Sequence, residues 1–276
     1  MILKSAYAID VSDGMLQLEE KDSLWEALRI PLKEPMILAF TGGGGKTTSM
    51  YCLADELAAQ GKRVIVTTST HILRPADRIV TEAGDWKAVS HFITNHKELF
   101  PLAGWVLVTG LPAEEGKLKG MELSELERLT QLCDVLLVEA DGAKRLPLKI
   151  PKINEPVLPG GTHAVIGCMG LNCIGEPWEE MCFRYELTPQ VFDGQKKNGR
   201  ITPSDAAKIL TSTNGTRKGA ESLEYRILIN KADDKRRLSS AQAVADAIGK
   251  EWAKYTAVTS FIEKDQIRNM GKGSPK

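Results

Sequence analysis

Between residues 36 and 60 the chain passes from an apolar run, Met36–Thr41, through Gly42-Gly43-Gly44-Gly45 into Lys46-Thr47-Thr48 and then an amphipathic stretch. Few architectures accommodate that order. A short, nearly continuous apolar run suits a strand covered on both faces. Met50, Leu53, Ala54, Leu57 and Ala58 recur at a spacing of three to four, which makes Thr47–Gln60 a helix with one buried face. Gly61 is a fitting residue to end it. Glycines at the junction let the backbone curl until several N–H groups point inward, with no Cβ in the way of a phosphate oxygen. The helix start adds partial positive charge. The expected phosphate contacts are therefore Gly42, Gly43, Gly44, Gly45 and Thr48, with Lys46 reaching the β- and γ-phosphates and the Thr47 hydroxyl on Mg²⁺.

The alternation continues along the chain. Arg63–Thr68, Trp105–Thr109, Asp134–Ala140, His163–Met169, Tyr225–Asn230 and Tyr255–Ser260 read as further strands. Glu122–Cys133, Pro203–Leu210 and Ser239–Ile248 read as helices, with Ser or Thr near their starts. Repeated β-α-β units imply a three-layer, doubly wound, mostly parallel α/β sheet with right-handed crossovers, of the P-loop NTPase type. Residues 1–34 read as a strand-like or irregular lead with one small helix, Ser23–Leu28. Residues 35–262 form the α/β domain. Long loops rich in Pro, Gly and charge lie at 142–160 and 170–200, where function often resides. Residues 263–276 read as a frayed tail.

Composition narrows the functional classes. The 276 residues include 36 Lys+Arg and 36 Asp+Glu, so the net charge is zero, which speaks against a broad nucleic-acid footprint. No apolar run approaches the 18 or so residues of a membrane span, and Asp10 interrupts the only apolar stretch at the start. Five cysteines, several in apolar segments, fit buried reduced thiols in a cytoplasmic protein.

The glycine loop is a variant, because the first glycine of G-x-x-x-x-G-K-[ST] would stand where the chain has Phe40. It resembles the shorter loop of Mur ligases, and also that of the nitrogenase-iron-protein-like class with Thr41 in place of a lysine. A second motif, Asp134 to Gly142, is an apolar strand ending in Glu139 and Asp141. A carboxylate at the carboxyl end of such a strand can hold Mg²⁺ and position water. Glu139-x-x-Gly142 resembles the motif of metallochaperone GTPases. A third, Asn230-Lys231-Ala232-Asp233, follows an apolar strand. In GTPases this tetrad reads guanine, the Asp accepting from a ring N–H and an exocyclic amine that adenine cannot supply.

Other residues invite weaker readings. Thr67-Thr68-Ser69-Thr70-His71 would face the same sheet edge, as ligand contacts or as a capped strand exit. Lys117-Leu118-Lys119 and Lys144 to Lys149 could clamp an anion or simply be solvated. Arg184 could act as an arginine finger in cis. Cys168, Cys173 and Cys182 match no zinc spacing.

Taken in order, TGGGGKTT, VTTSTHI, VEADGAKRLPLKIPKINEPVLP, VIGCMGLNCIGEP and INKAD resemble the YqeC family over residues 24–260. That resemblance implies a cytoplasmic P-loop NTPase, an accessory protein that matures a selenium-dependent molybdenum hydroxylase or inserts its metal cofactor. The combined expectation is Mg²⁺-dependent GTP binding and hydrolysis, with ATP as the alternative nucleotide. Lys46, Glu139 and Asp141 would carry catalysis, Thr47 and Glu139 would hold Mg²⁺, Asp141 would orient water, and Asn230, Lys231 and Asp233 would form the base pocket. The expected partners are the nucleotide and a molybdenum hydroxylase or its cofactor-maturation proteins, with no nucleic acid and no membrane. A Mur-like ATP-dependent ligase or kinase, a nucleotidyl transfer on a cofactor, and a non-catalytic nucleotide-switched module are the rival readings.

Overall fold

Every apolar run singled out above forms a strand. The computed structural model describes residues 2–12, 14–75, 78–96, 98–100 and 104–262; the expected tail over 263–276 lies outside them. In chain order the strands are β1 (Ile2–Ser12), β2 (Met15–Lys21), β3 (Met36–Gly42), β4 (Val64–Thr68), β5 (His71–Leu73), β6 (Val80–Glu82), β7 (Trp105–Thr109), β8 (Lys117–Lys119), β9 (Val135–Glu139), β10 (Leu148–Lys149), β11 (Ala164–Gly170), β12 (Cys182–Phe183), β13 (Glu224–Asn230) and β14 (Thr256–Ile262). The principal helices are α1 (Leu24–Leu28), α2 (Lys46–Ala59), α3 (Trp86–Asn95), α4 (Leu123–Arg128), α5 (Pro203–Thr211) and α6 (Lys235–Ile248).

Ten strands make one sheet in the order β2-β1-β14-β13-β11-β3-β9-β4-β7-β6. From β14 to β6 all neighbours are parallel. Only β1 pairs antiparallel, with β14 on one side and β2 on the other. The protein is thus a doubly wound α/β fold with a mostly parallel sheet. Alternation of side chains places it in three layers. Leu38, Phe40, Val64, Val66, Leu107 and Leu137 pack with Met50, Leu53 and Leu57 of α2 and with α1. Ile37, Ile65, Val106, Leu136 and Val138 face Val89 and Ile93 of α3 and Leu126 of α4. On that second face Val165, Ile227 and Ile229 meet α5 and α6. Full burial of each such aliphatic side chain stabilises the fold by about 1.5–3 kcal/mol.

Three segments differ from the sequence reading. Residues 1–34 hold a two-stranded hairpin that extends the main sheet, because β1 buries Ala6 against one face of the core and Ile9 against the other. α4 is shorter than Glu122–Cys133 and tightens into a 3₁₀ turn at Leu129–Gln131. α6 starts four residues earlier than Ser239, since the Asp234 carboxylate accepts from the Arg237 N–H and caps it. The loops at 142–160 and 170–200 are well packed. They contribute Leu148, Ile150, Cys173, Trp178, Cys182 and Phe192 to the core beneath α5 and α6.

β3 lies in the middle, with β9 on one side and β11 on the other. The chain leaves β3 through α2 toward β4 and returns much later to β11. That divergence opens a crevice at the carboxyl ends of the strands, the usual ligand position in such sheets.

Candidate nucleotide site

The glycine loop closes the crevice floor. Gly42 and Gly44 have φ of +87° and +69°. A Cβ on Gly42 would stand 2.3 Å from the Cys168 carbonyl oxygen, and one on Gly44 would stand 2.1 Å from the Gly170 nitrogen. Backbone conformation and close approach to β11 both demand glycine. The loop amides do not all point at a ligand, which corrects the sequence expectation. The Gly42 N–H donates to Asp141 Oδ2 (3.1 Å). The Gly43 and Gly44 N–H groups donate to the Cys168 and Leu146 carbonyls (3.0 Å each). The amides left for a ligand are those of Gly45 and the first turn of α2. The first-turn amides have no acceptor within the helix, and Gly45 at the N-cap has no side chain to supply one.

Thr47 and Glu139 come together as expected. Thr47 Oγ1 donates to Glu139 Oε2 over 2.6 Å. Glu139 ends β9 opposite Phe40 of β3 and Thr68 of β4. Burial raises its carboxyl pKa above the ordinary value, against the pull of Lys46 and the Thr47 hydrogen bond. A hydroxyl and a carboxylate side by side are hard oxygen donors that fit Mg²⁺, whose remaining positions phosphate and water would fill. Among the described residues no group of three or more His, Cys, Asp or Glu could hold a metal alone.

Asp141 takes a different place from the one expected. It is buried, with Oδ1 3.0 Å from Lys46 Nζ and Oδ2 2.9 Å from Lys149 Nζ. Each oxygen stands at ion-pair distance from a lysine, and Oδ2 also accepts from the Gly42 amide, so Asp141 anchors the loop. Lys46 Nζ also donates to the Gly42 carbonyl (2.6 Å). Burial pushes the Lys46 pKa down, but the charges of Asp141 and Glu139 outweigh it and the net shift is upward.

Across β11, β13 delivers Asn230 to the same loop. Its Nδ2 donates to the Gly44 carbonyl (3.0 Å), and its Oδ1 accepts from Ser49 Oγ (3.2 Å) and Thr259 Oγ1. Asp233 accepts from Ser260 Oγ (2.9 Å) and pairs with Arg237 (2.6 Å). Lys231 has φ +67° and is half-buried; burial, with Arg237 nearby, lowers its pKa. A cavity of about 240 Å³ is lined by Gly44, Gly45 and Thr48 on one side and Asn230, Lys231 and Asp233 on the other. Asn172, Arg237 and Phe261 complete its wall. The two motifs, some 185 residues apart, thus meet in one space.

Sequence reasoning missed Glu155, Arg237, Asn172, Thr259 and Ser260. A usable signal existed for the last pair: the hydroxyls Thr259-Ser260 close the apolar run that forms most of β14. The weaker readings mostly resolve as structure. Thr68 Oγ1 donates to the Glu139 carbonyl and Ser69 Oγ to the Val157 carbonyl, and His71 is exposed in β5 opposite Lys119. Lys149 is fully buried and cannot clamp a ligand from solvent. Arg184 is no finger: it pairs with Glu155 and stacks on Phe183, 4.3 Å from the ring centre. All five cysteines are free, and Cys168, Cys173 and Cys182 are buried. Burial pushes the Cys173 thiol up to about 12.

Among solved structures the chain is similar to the signal recognition particle 54 kDa protein of Aeropyrum pernix K1 in complex with GDP. Identity there is 18% over 83% of this chain and 42% of that one, with a TM-score of 0.38. It is also similar to the signal recognition particle receptor FtsY of Elizabethkingia anophelis, at 12% identity over 84% and 65% of the two chains and a TM-score of 0.35. "Uncharacterized protein YqeC" of Escherichia coli (strain K12) is 34% identical over 146 residues, 52% of this chain and 55% of its own. The chain therefore spans about half the length of that relative. The model of the family described as YqeC protein matches residues 38–186, from the glycine-loop strand through the Glu139 strand to Arg184 and just beyond. That span is more than half of the 276 residues, and the chain belongs to the YqeC family.

Proposed function

We propose that the protein binds a nucleoside triphosphate with Mg²⁺, GTP in preference to ATP, and hydrolyses it slowly. The observation that carries the reading is the shared cavity: the glycine loop and the Asn230-to-Asp233 tetrad line one space. Gly45 and the first α2 amides would hold phosphate oxygens, and Lys46 would swing from Asp141 to the β- and γ-phosphates. Thr47 and Glu139 would hold Mg²⁺, which supplies charge neutralisation on the phosphates when bound. The remaining work is positioning and electrostatics, as in other phosphoryl transfers.

Guanine selection follows from Asp233. Its carboxylate can accept two hydrogen bonds from guanine, whereas adenine would leave it facing no donor. Ser260 orients that carboxylate, and Arg237 yields one oxygen as the base enters. Asn230 ties Gly44 to β13, so the phosphate cradle and base pocket keep a fixed separation. In keeping with the family resemblance, the nucleotide cycle serves the maturation of a molybdenum hydroxylase, and partner binding speeds turnover. Free, buried thiols suit a reducing compartment such as the cytoplasm. Among the described residues no helix is long and apolar enough to cross a membrane.

The test is competition between GTP and ATP with Mg²⁺ for the natural chain and Asp233→Ala. The substitution should weaken GTP about ten- to a hundredfold and leave ATP unchanged. Equal affinities, indifferent to the substitution, would remove the guanine assignment. Release of pyrophosphate in place of phosphate would replace hydrolysis with nucleotidyl transfer.

A further inference from the structure

A line of ionised side chains, alternating in sign, runs from the glycine loop into the segment over the sheet edge. Lys46 Nζ lies 3.0 Å from Asp141 Oδ1, and Asp141 Oδ2 lies 2.9 Å from Lys149 Nζ. Lys149 Nζ lies 2.7 Å from Glu155 Oε2, which Arg184 grips from the far side. Lys149 is 0% exposed and Asp141 1%. Burying so many charges is unfavourable unless each is compensated by a neighbour. Stability alone gives little reason to keep such a line, since apolar side chains of like size would fill the space as well or better.

Charge accounting gives it a role. Asp141, Lys149, Glu155 and Arg184 sum to zero, and Lys46 is the cation in excess. Glu139, the other carboxylate close to Lys46, stands outside this line: it accepts from the Thr47 hydroxyl, and in the reading above Mg²⁺ would meet its charge. An arriving triphosphate must draw Lys46 away from Asp141. Without a second cation that move would strand a buried carboxylate, and Asp141 would instead hold Lys46 back. We propose that Lys149 is a positioning residue that keeps Asp141 neutralised when Lys46 turns to the phosphates. Glu155, itself paired with Arg184, shares Lys149 with Asp141 and so limits how fully Lys149 compensates it. Engagement of Lys46 is thereby linked to residues 149–184, so this segment responds to the nucleotide. The inference rests on the triphosphate reading given above.

The experiment uses the full chain with Mg²⁺ and a fluorescent GTP, competed by GTP, tripolyphosphate and guanosine. Lys149→Met should weaken GTP and tripolyphosphate by about tenfold or more and leave guanosine unchanged. Adding Asp141→Asn should restore affinity to within about threefold of wild type, because an amide still accepts from the Gly42 N–H but no longer holds Lys46. Glu155→Gln gives the opposite sign: Lys149 then leans wholly on Asp141, and triphosphate affinity holds or rises. Lys149→Arg, which keeps the cation at some packing cost, should bind tripolyphosphate more tightly than Lys149→Met. A Lys149→Met chain with undiminished GTP affinity, a double variant no better than the single one, or an equal loss for guanosine would overturn the inference. If Lys149→Met does not fold, lowered tripolyphosphate affinity in a folded Glu155→Gln chain overturns it. Failure of the wild-type chain to bind GTP or tripolyphosphate would overturn the proposed function and this inference together; wild-type binding with the outcomes just named overturns the inference alone.

Discussion

Gly44→Ala separates the close approach of the loop from its backbone conformation. Gly61 supplies the control, because its φ of +82° is as unfavourable to a side chain and a Cβ there would meet nothing within 4 Å. Gly61→Ala should lose only the left-handed backbone preference, about 1–2 kcal/mol. Gly44→Ala loses the same and also drives a Cβ to 2.1 Å from the Gly170 nitrogen. No side chain can move to relieve that contact, since the opposing atom is backbone. Loop and strand end must part. That movement loosens the bonds from the Gly44 N–H to Leu146 and from Asn230 to the Gly44 carbonyl, about 1 kcal/mol each. The sum is about 3–4 kcal/mol. For a chain of this size each kcal/mol lowers Tm by about 2–4 °C. Thermal melts followed by circular dichroism should therefore fall by about 2–8 °C for Gly61→Ala and by at least about twice as much for Gly44→Ala. GTP binding should survive the first and vanish in the second. Equal Tm shifts, or wild-type GTP affinity in Gly44→Ala, would refute the account of the loop as a cradle fixed by β11.

Two further outcomes follow from single contacts. Glu139→Gln should abolish the Mg²⁺ enhancement of GTP binding while leaving binding in EDTA within about threefold of wild type, measured by titration. Asp134 accepts from the Arg63 side chain and amide, and those bonds hold its pKa below the ordinary value. A lowered carboxyl contributes stability that is present above the unfolded-state pKa and lost as pH falls through the folded one. Asp134→Asn should accordingly shallow the acid limb of the Tm-versus-pH curve below about pH 4 and leave its shape near neutrality unchanged.

The parallel core was legible because it is covered on both faces. Met36–Thr41 and Tyr225–Asn230 differ from the observed strands by one residue at an end, since apolar runs begin and stop where burial does. The N-terminal hairpin was not. Its second strand alternates Leu16 and Leu18 with Gln17, Glu19 and Glu20, and only one face is half-covered, so no continuous run announces it. α3 was overlooked although Asp85 caps it and Val89 and Ile93 are buried, because it follows short irregular strands with no apolar block before it. In the site, Thr47 does lie beside Glu139, while Asn230, expected in a base pocket, also bonds the Gly44 carbonyl of the loop that precedes α2. Asp141 and Arg184 were misassigned for one reason. Their partners, Lys149 and Glu155, come from a segment whose sequence looks like a charged surface loop, and only the fold reveals that it turns inward.

The antiparallel seam has a bearing on how the polypeptide reaches this state. Ile2 lies opposite Ile262, and Ala8 opposite Ala257. The opening hairpin therefore waits for almost the whole described chain to be made before its partner exists. At about 5–20 residues per second, that interval is tens of seconds on the ribosome. Throughout it the inner edge of β1 is an unsatisfied strand, and association of nascent chains through that edge is the characteristic hazard of such an arrangement.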